Sequence, residues 1–375
     1  MPAVVLVPPD QWPDFHDDLS SASLAAAGAR SQSYLQAQGD RLFSFGDREI
    51  AARLLIETLD ELVRIRSEAT DDAELAARLK EGFDLYRVGE STAGWAHLSA
   101  YYQPTLPASL EPTEEYRYPL FRKPTDMMEV DLGDFNAKWK GETLIGRMDA
   151  DRLVPYFDRR DIDVRDSLKG RGLELAWLKS QFDRLNLHIQ GSGILRLPDG
   201  SLRLAKYAAT NGQPYKSVGL AVAGSGAMSR EELNAATLRK FLEEHPEGES
   251  WLVSQNPRYT FFDLAPLPVD EEPFGSLQQP LTAGRSVAAD VKHTPLGMVG
   301  YLAFPMPQAD GEGRLLDKRL TRRFVLAQDT GGAIQGPGRL DLYVGHGTEA
   351  ETTARKVWEK GTFYVLIKKA PERTR

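Results

Sequence analysis

From Arg48 to Ile65 the apolar positions Ile50, Leu54, Leu55, Leu59, Leu62 and Val63 recur at helical spacing. That stripe predicts an amphipathic helix, with Asp47 as its N-cap. A second helix is predicted over Ala73–Phe83, with Leu75, Leu79 and Phe83 facing inward and Thr70 or Asp71 at its start. The character changes near Trp95: Leu98–Gln103 reads as a strand that stops at Pro104. Between Pro104 and Asp263 the pattern predicts short strands with two helices, Gly172–Asp183 and Ser229–Glu244, the second opened by a capping box of Ser229 and Glu232. Beyond Leu264 apolar runs alternate with Gly, Pro and Asp turns: Met298–Phe304, Arg323–Ala327, Leu340–Val344 and Thr362–Ile367. Such regular short strands predict a barrel or a sandwich. The fold class is therefore mainly β with N-terminal helices, an α+β arrangement.

With 375 residues, 41% hydrophobic and 27% charged, the chain has ordinary globular composition and length for two domains, or for one domain with a large insertion. Lys368–Arg375 reads as a loose tail. The formal charge of −8 and the lack of a basic stripe disfavour nucleic acid as a partner, and the runs Lys318–Arg323 and Arg159–Arg160 read as solvated faces. With no cysteine there is no disulfide, thiol nucleophile or Cys-type zinc site. No apolar stretch reaches the ~18 residues of a membrane span, so the chain as given is expected to be soluble. Its six histidines form no His-x-x-x-His pair. There is no Walker loop, no complete dinucleotide fingerprint and no Gly-x-Ser-x-Gly elbow. Carboxylate chemistry remains.

Two aspartates interrupt apolar patterns. Val325–Gln328 is an apolar strand that ends in Asp329, followed by Thr330-Gly331-Gly332. After the turn Gly336-Pro337-Gly338, Asp341 lies inside the alternating run Leu340–Val344. A carboxyl flanked by leucines is costly to bury as an anion, and burial raises its pKa toward that of a proton donor near neutral pH. Asp-Thr-Gly also serves as a plain turn, and Asp341 on an edge strand would face solvent. Spacing alone leaves both readings open. A single Asp-Thr-Gly also fits an aspartic peptidase, but only as a homodimer, because that chemistry needs two facing aspartates.

A longer series of motifs narrows the choice. Asp329-Thr-Gly-Gly-Ala-Ile-Gln-Gly followed by Asp341-Leu-Tyr is preceded by Leu281–Asp290 and Pro295-Leu-Gly. Upstream lie Tyr101-Tyr-Gln-Pro, Tyr118-Pro-Leu-Phe-Arg, Gln190-Gly-Ser-Gly, Gly212–Gly219 and Asn256–Phe262. This ordered series resembles the membrane-bound lytic murein transglycosylase A family, with its C-terminal three-aspartate domain. The resemblance implies a double-psi β-barrel built from residues 1–104 and 264–375, an inserted smaller β-rich domain over 105–263, and a glycan groove between them. It implies cleavage of the β-1,4 bond between N-acetylmuramic acid and N-acetylglucosamine of peptidoglycan without water, leaving a 1,6-anhydro sugar. The sugar's own 6-hydroxyl is then the nucleophile, so one carboxyl serves as acid and then as base, unlike the usual two-carboxyl glycosidase. Asp341 takes that part; Asp329 is an orienting anion or hydrogen-bond partner, and Asp290 is structural. Tyr101, Tyr102, Gln190, Tyr215, Lys216 and Ser217 are expected to line the groove, since aromatic faces suit sugar rings and amides and hydroxyls suit N-acetyl groups. No metal or cofactor is expected. The partner is the peptidoglycan strand, the place a bacterial cell envelope, with membrane anchoring through a segment absent from this sequence and a monomeric state. The rival readings are a non-catalytic wall-glycan binder and the dimeric peptidase.

Overall fold

The computed structural model describes residues 3–90, 94–229, 235–245, 248–267, 272–310 and 314–369. The chain divides into two compact units, Met1–Tyr102 with Glu272–Arg375, and Gln103–Glu271.

The first unit opens with three helices. Asp72–Gly82 starts as expected, the Asp71 side chain accepting from the Glu74 amide at 2.8 Å. The helix expected from Arg48 begins only at Ala52 and runs to Glu68. Arg48–Ala51 instead pairs with Leu42–Phe45 as a hairpin, so Gly46 and Asp47 form its turn and Asp47 caps nothing. Phe43, Phe45 and Ile50 are buried at period two, and that local alternation overrides the helical stripe. A helix the pattern did not reveal, Ser21–Ala37, buries Leu24, Ala27, Gly28, Ser31 and Leu35. Its alanine-rich face carries little hydrophobic contrast.

Six strands then close into a barrel, so the coarse α/β architecture with a β-barrel holds. Around the ring they run Ala96–Gln103, Trp358–Lys368, Val299–Ala309, Leu315–Asp329, Ser286–Ala289 and Arg339–His346, which returns to Ala96–Gln103. Phe83–Val88 adds to the outside of Trp358–Lys368, and Val4–Leu6 adds to that. The core is shared between these strands, through residues such as Val287, Tyr301, Phe324, Leu342 and Leu366, and the N-terminal elements, through residues such as Leu24, Phe45 and Leu59. Two expectations are corrected here. Arg159, expected on a solvated face, is fully buried and donates to Asn256 O at 3.0 Å, whereas the Lys318–Leu320 part of Lys318–Arg323 is exposed, as a solvated face on a long strand. Lys368 ends a strand rather than opening a tail, and the Lys369 amide donates to Gly82; residues 370–375 lie outside the described range.

Two buried polar clusters fasten the helices to the barrel. Arg285 uses all its N–H directions, donating to Asp17 Oδ1 at 2.7 Å and Oδ2 at 3.0 Å, Ser23 Oγ at 3.0 Å, Phe324 O at 2.8 Å and Ser20 O at 3.0 Å. Gln328, one residue before Asp329, donates to Ala27 O at 2.8 Å and Ser31 Oγ at 2.9 Å, and accepts from Ser286 Oγ at 2.5 Å. Satisfied buried networks of this kind fix register, since a slipped strand would orphan every member.

The second unit carries a six-stranded sheet in the order Thr260–Pro266, Leu202–Thr210, Gly193–Arg196, Thr105–Ser109, Glu174–Leu178, Tyr118–Phe121, and a three-stranded sheet of Arg152–Pro155, Thr143–Asp149 and Met128–Asp131. The helix expected over Gly172–Asp183 is a strand, Glu174–Leu178, followed by a helix, Gln181–Gln190. Ser180 caps that helix through the Asp183 amide at 3.0 Å, and Gly191 ends it at φ 82°. The later helix is described as Ala235–Glu244; the Glu232 half of its expected capping box lies outside the described residues.

Candidate active site

The four-residue strand Ser286–Ala289 sits between the strand that ends at Asp329 and the strand that holds Asp341. Ala288 is the register partner of both: it faces Asp329 in a parallel pairing and Asp341 in an antiparallel one. The two aspartates thus stand at one height of the barrel, their strands about 10 Å apart at the usual strand spacing. On the far side of Asp341, the strand Ala96–Gln103 supplies Ser99 and Tyr101.

The two carboxyls have different surroundings. Asp329 accepts four hydrogen bonds. Its Oδ1 takes the Ser276 amide at 3.0 Å, Ser276 Oγ at 2.8 Å and the Thr330 amide at 2.9 Å; its Oδ2 takes the Tyr101 hydroxyl at 2.8 Å. Burial pushes its pKa up, while the Tyr101, Thr330 and Ser276 donors pull the other way. Tyr101 itself is held protonated far above the usual tyrosine range, by burial first and then by Asp329. It remains a donor.

Asp341 accepts one hydrogen bond, from Ser99 Oγ to Oδ1 at 2.5 Å. Its Oδ2 has no hydrogen-bond partner among the described residues, and Asp341 as a whole is half-buried. Burial, assisted by the Asp329 charge, raises its pKa to about 6, against the lowering effects of Ser99 and Arg339. Four donors favour ionising Asp329 first, and its negative charge then helps to keep the proton on Asp341.

The raised pKa carries a stability cost. The folded state binds the Asp341 proton more tightly than the unfolded chain, so stability falls as pH rises from 3.8 through about 6 and stays lower above that. Asp341→Asn removes this cost. It is expected to gain about 1–3 kcal/mol at pH 8 and nothing below about pH 4. Urea unfolding at the two pH values checks this; an equal effect at both would refute the shift.

Residues that sequence patterns had not singled out complete the cluster. Arg339 Nη2 donates to Ser99 Oγ at 2.8 Å, and its guanidinium lies 5.0 Å over the exposed Trp358 ring. The Tyr343 ring packs 5.3 Å from that of Tyr101, and its hydroxyl donates to Glu272. Ser99 and Arg339 lie two residues before Tyr101 and Asp341, so the period-two rule was the signal that could have found them.

Of the other expected residues, Tyr102 points away from Asp329. It is buried, donates to Glu351 Oε1 at 3.1 Å and leaves little surface for a ligand. Asp290 ties the loop after Asp329, accepting from the Gly336 amide at 2.7 Å and the Lys292 amide at 3.0 Å. Gln190, Tyr215, Lys216 and Ser217 belong to the second unit. There Gln190 ends its helix, Ser217 caps Val218–Gly224 through the Leu220 amide at 3.3 Å, and Tyr215 is half-buried beside Ser217. Lys216 is exposed, with its amide donating to Asn256 Oδ1 at 3.2 Å. Among the described residues no cluster of three His, Asp or Glu could hold a metal ion.

Residues 97–263 match the family described as the MltA specific insert domain, and residues 285–367 match the 3D domain. The chain belongs to the membrane-bound lytic murein transglycosylase A family. Membrane-bound lytic murein transglycosylase A of Escherichia coli K12 is 28% identical over 296 residues, spanning 77% of this chain and 70% of that protein. The Vibrio cholerae protein of the same name is 26% identical, spanning 73% and 67%. Among solved structures, the membrane-bound lytic murein transglycosylase of Agrobacterium tumefaciens has a TM-score of 0.78 at 27% identity, covering 98% of both chains. Escherichia coli MltA with bound chitohexaose has a TM-score of 0.73 at 24% identity, covering 98% of this chain and 94% of that one, a likeness of fold.

Proposed function

We infer that this chain is a lytic murein transglycosylase that cleaves the β-1,4 bond between N-acetylmuramic acid and N-acetylglucosamine and leaves a 1,6-anhydro end. The observation that carries the chemistry is the asymmetry of the two aspartates. Asp341 has one oxygen without a partner among the described residues and a pKa raised to about 6, whereas Asp329 spends both oxygens on four hydrogen bonds from three neighbours. Only one carboxyl is free to act, and an intramolecular reaction needs only one.

In the reading supported here, Asp341 in its acid form gives its proton to the bridging oxygen as the bond from C1 of the muramic residue breaks. An oxocarbenium-like centre develops at C1. The resulting carboxylate takes the proton of that sugar's 6-hydroxyl, whose oxygen closes on C1. The proton is back on Asp341 and no water has entered. Nucleophile and electrophile share one ring, so proximity supplies much of the barrier reduction. Tyr101 and Asp329 orient the site, and Gln190, Tyr215, Lys216 and Ser217 offer polar and aromatic contacts to the glycan. The glycan class is in keeping with the chitohexaose carried by the Escherichia coli relative. A dimeric aspartic peptidase would need the Asp329 carboxyl open to its twin, and local donors already fill it.

The double-psi connectivity and the division into a barrel of 1–104 with 264–375 and an insert of 105–263 belong to the same proposal. The parallel pairing of Ser286–Ala289 with Leu315–Asp329 inside the closed ring supports the connectivity. The substrate places the chain in a bacterial cell envelope; membrane attachment and a monomeric state are part of the reading, tested by fractionation and light scattering.

The test is digestion of purified peptidoglycan with product masses read by mass spectrometry. Products with 1,6-anhydro ends are expected. Reducing-end products would mean a hydrolase, and binding without products would mean a glycan-binding protein. The rate is also expected to fall as pH rises through about 6, because the acid form of Asp341 starts the reaction. A rate rising through that range would count against Asp341 as the acid.

A further inference from the structure

Arg339 has donors and no acceptors, so its Nη2 contact at 2.8 Å fills one lone pair of Ser99 Oγ. The Ser99 hydroxyl donates to Asp341 Oδ1, 2.5 Å away. While that bond stands Oδ1 is held as an acceptor, and a proton placed on it would turn the Ser99 hydrogen away and give up the contact as a donor. The arrangement therefore favours the acidic proton on Oδ2, the oxygen with no partner among the described residues.

Arg339 is itself fixed on two sides. Nη1 donates to Leu340 O at 2.6 Å, and the guanidinium plane lies over Trp358. A lysine at this place could supply charge but not both directed N–H bonds. Other groups facing Asp341 are Ser99 and Tyr101 from one neighbouring strand, Asp329 from the strand beyond Ser286–Ala289, and Tyr343 on its own strand behind Tyr101. Of these only Ser99 touches its carboxyl directly.

We propose that Arg339 is a positioning residue: acting through Ser99, it locks Asp341 by Oδ1 and leaves Oδ2 as the atom that carries and recovers the catalytic proton. This rests on the transglycosylase reading of the site. Arg339 and Ser99 touch the acid rather than the reacting bond, so their removal alters how the acid is presented, not how tightly glycan binds.

The experiment compares wild type, Arg339→Met, Arg339→Lys, Ser99→Ala and the Arg339→Met/Ser99→Ala double variant, each checked for folding by circular dichroism. Release of anhydro products is followed from pH 4 to 9. Arg339→Met and Ser99→Ala each remove a group that favours the carboxylate, so the alkaline limb is expected to move up by about one pH unit. At the optimum kcat is expected to fall roughly tenfold with KM within about twofold, since a misdirected acid loses transition-state interactions rather than ground-state ones. The double variant is expected to be no worse than either single one, because Arg339 works through Ser99. Arg339→Lys is expected to bring the limb back toward wild type without restoring full kcat. An unmoved limb, a change confined to KM, or losses that multiply in the double variant would overturn the relay.

A second measurement needs no activity: the 13Cγ shift of Asp341 titrated by NMR in the same variants. Both single variants are expected to raise its midpoint. If no protein releases anhydro products, the functional reading fails while the titration still decides whether the relay exists. An unchanged midpoint in a folded Ser99→Ala protein would refute it.

Discussion

Asp341→Asn is expected to lower the release of anhydro-muropeptides from peptidoglycan by about 10²–10⁴-fold while leaving the fold intact. The lower end is what removing a general acid alone costs, and Asp341 is asked to act twice in each turnover. The amide keeps the shape of the acid, and its oxygen can still accept from Ser99 Oγ. It has no acidic proton for the bridging oxygen and cannot take one from the 6-hydroxyl. The paired variant Asp329→Asn should behave differently. Four donors point at the Asp329 carboxyl: an NH₂ in place of Oδ1 meets two backbone amides head-on, and one in place of Oδ2 turns the Tyr101 hydroxyl from donor to acceptor. It is expected to lose stability together with a smaller share of activity. Mass spectrometry of digests, alongside thermal melts of both variants, separates the two effects. An active Asp341→Asn with a folded but dead Asp329→Asn would exchange the roles of the two aspartates.

The sequence exposed both acids because each breaks an apolar pattern at a strand position, a signal carried by single residues. What brings them together was not legible. Ser286–Ala289 is four residues of Ser, Val and Ala with no alternation, yet it sets the two acids at one height through Ala288. Ring closure depends on pairings such as Trp358 with Ser99, some 260 residues apart by number, which no local period encodes. The same limit explains the misread elements. Around Arg48 two periods overlapped, and the hairpin won because Phe43, Phe45 and Ile50 fill the core. Around Glu174 a short buried strand imitated a helix, although Ser180 and Gly191 marked the true helix ends. Arg339 follows the Gly336-Pro337-Gly338 turn directly, and only period two, two residues before Asp341, marks it as sharing that residue's face.

The largest effect on stability is expected from Asp17→Asn. Asp17 and Arg285 meet with both side chains fully buried, and Arg66 Nε adds a further contact to Asp17 Oδ2 at 3.0 Å. Removing the negative charge leaves two guanidinium groups with no counter-ion, one of them wholly out of water. Breaking one partner of a buried pair costs about 3–5 kcal/mol, because the stranded charge cannot be rehydrated. Replacing both residues by apolar ones, Asp17→Leu with Arg285→Met, is expected to cost less than Asp17→Asn alone, despite removing more hydrogen bonds. Urea unfolding of the three proteins decides the matter. A loss below about 1 kcal/mol for Asp17→Asn would show that the cluster relaxes or admits water. The consequence reaches the active site. Arg285 also holds Phe324 O, on the strand that ends at Asp329, and it directly precedes the strand that aligns both aspartates. A loosened Arg285 frees that alignment, so Asp17→Asn should lose activity at temperatures below those at which it unfolds.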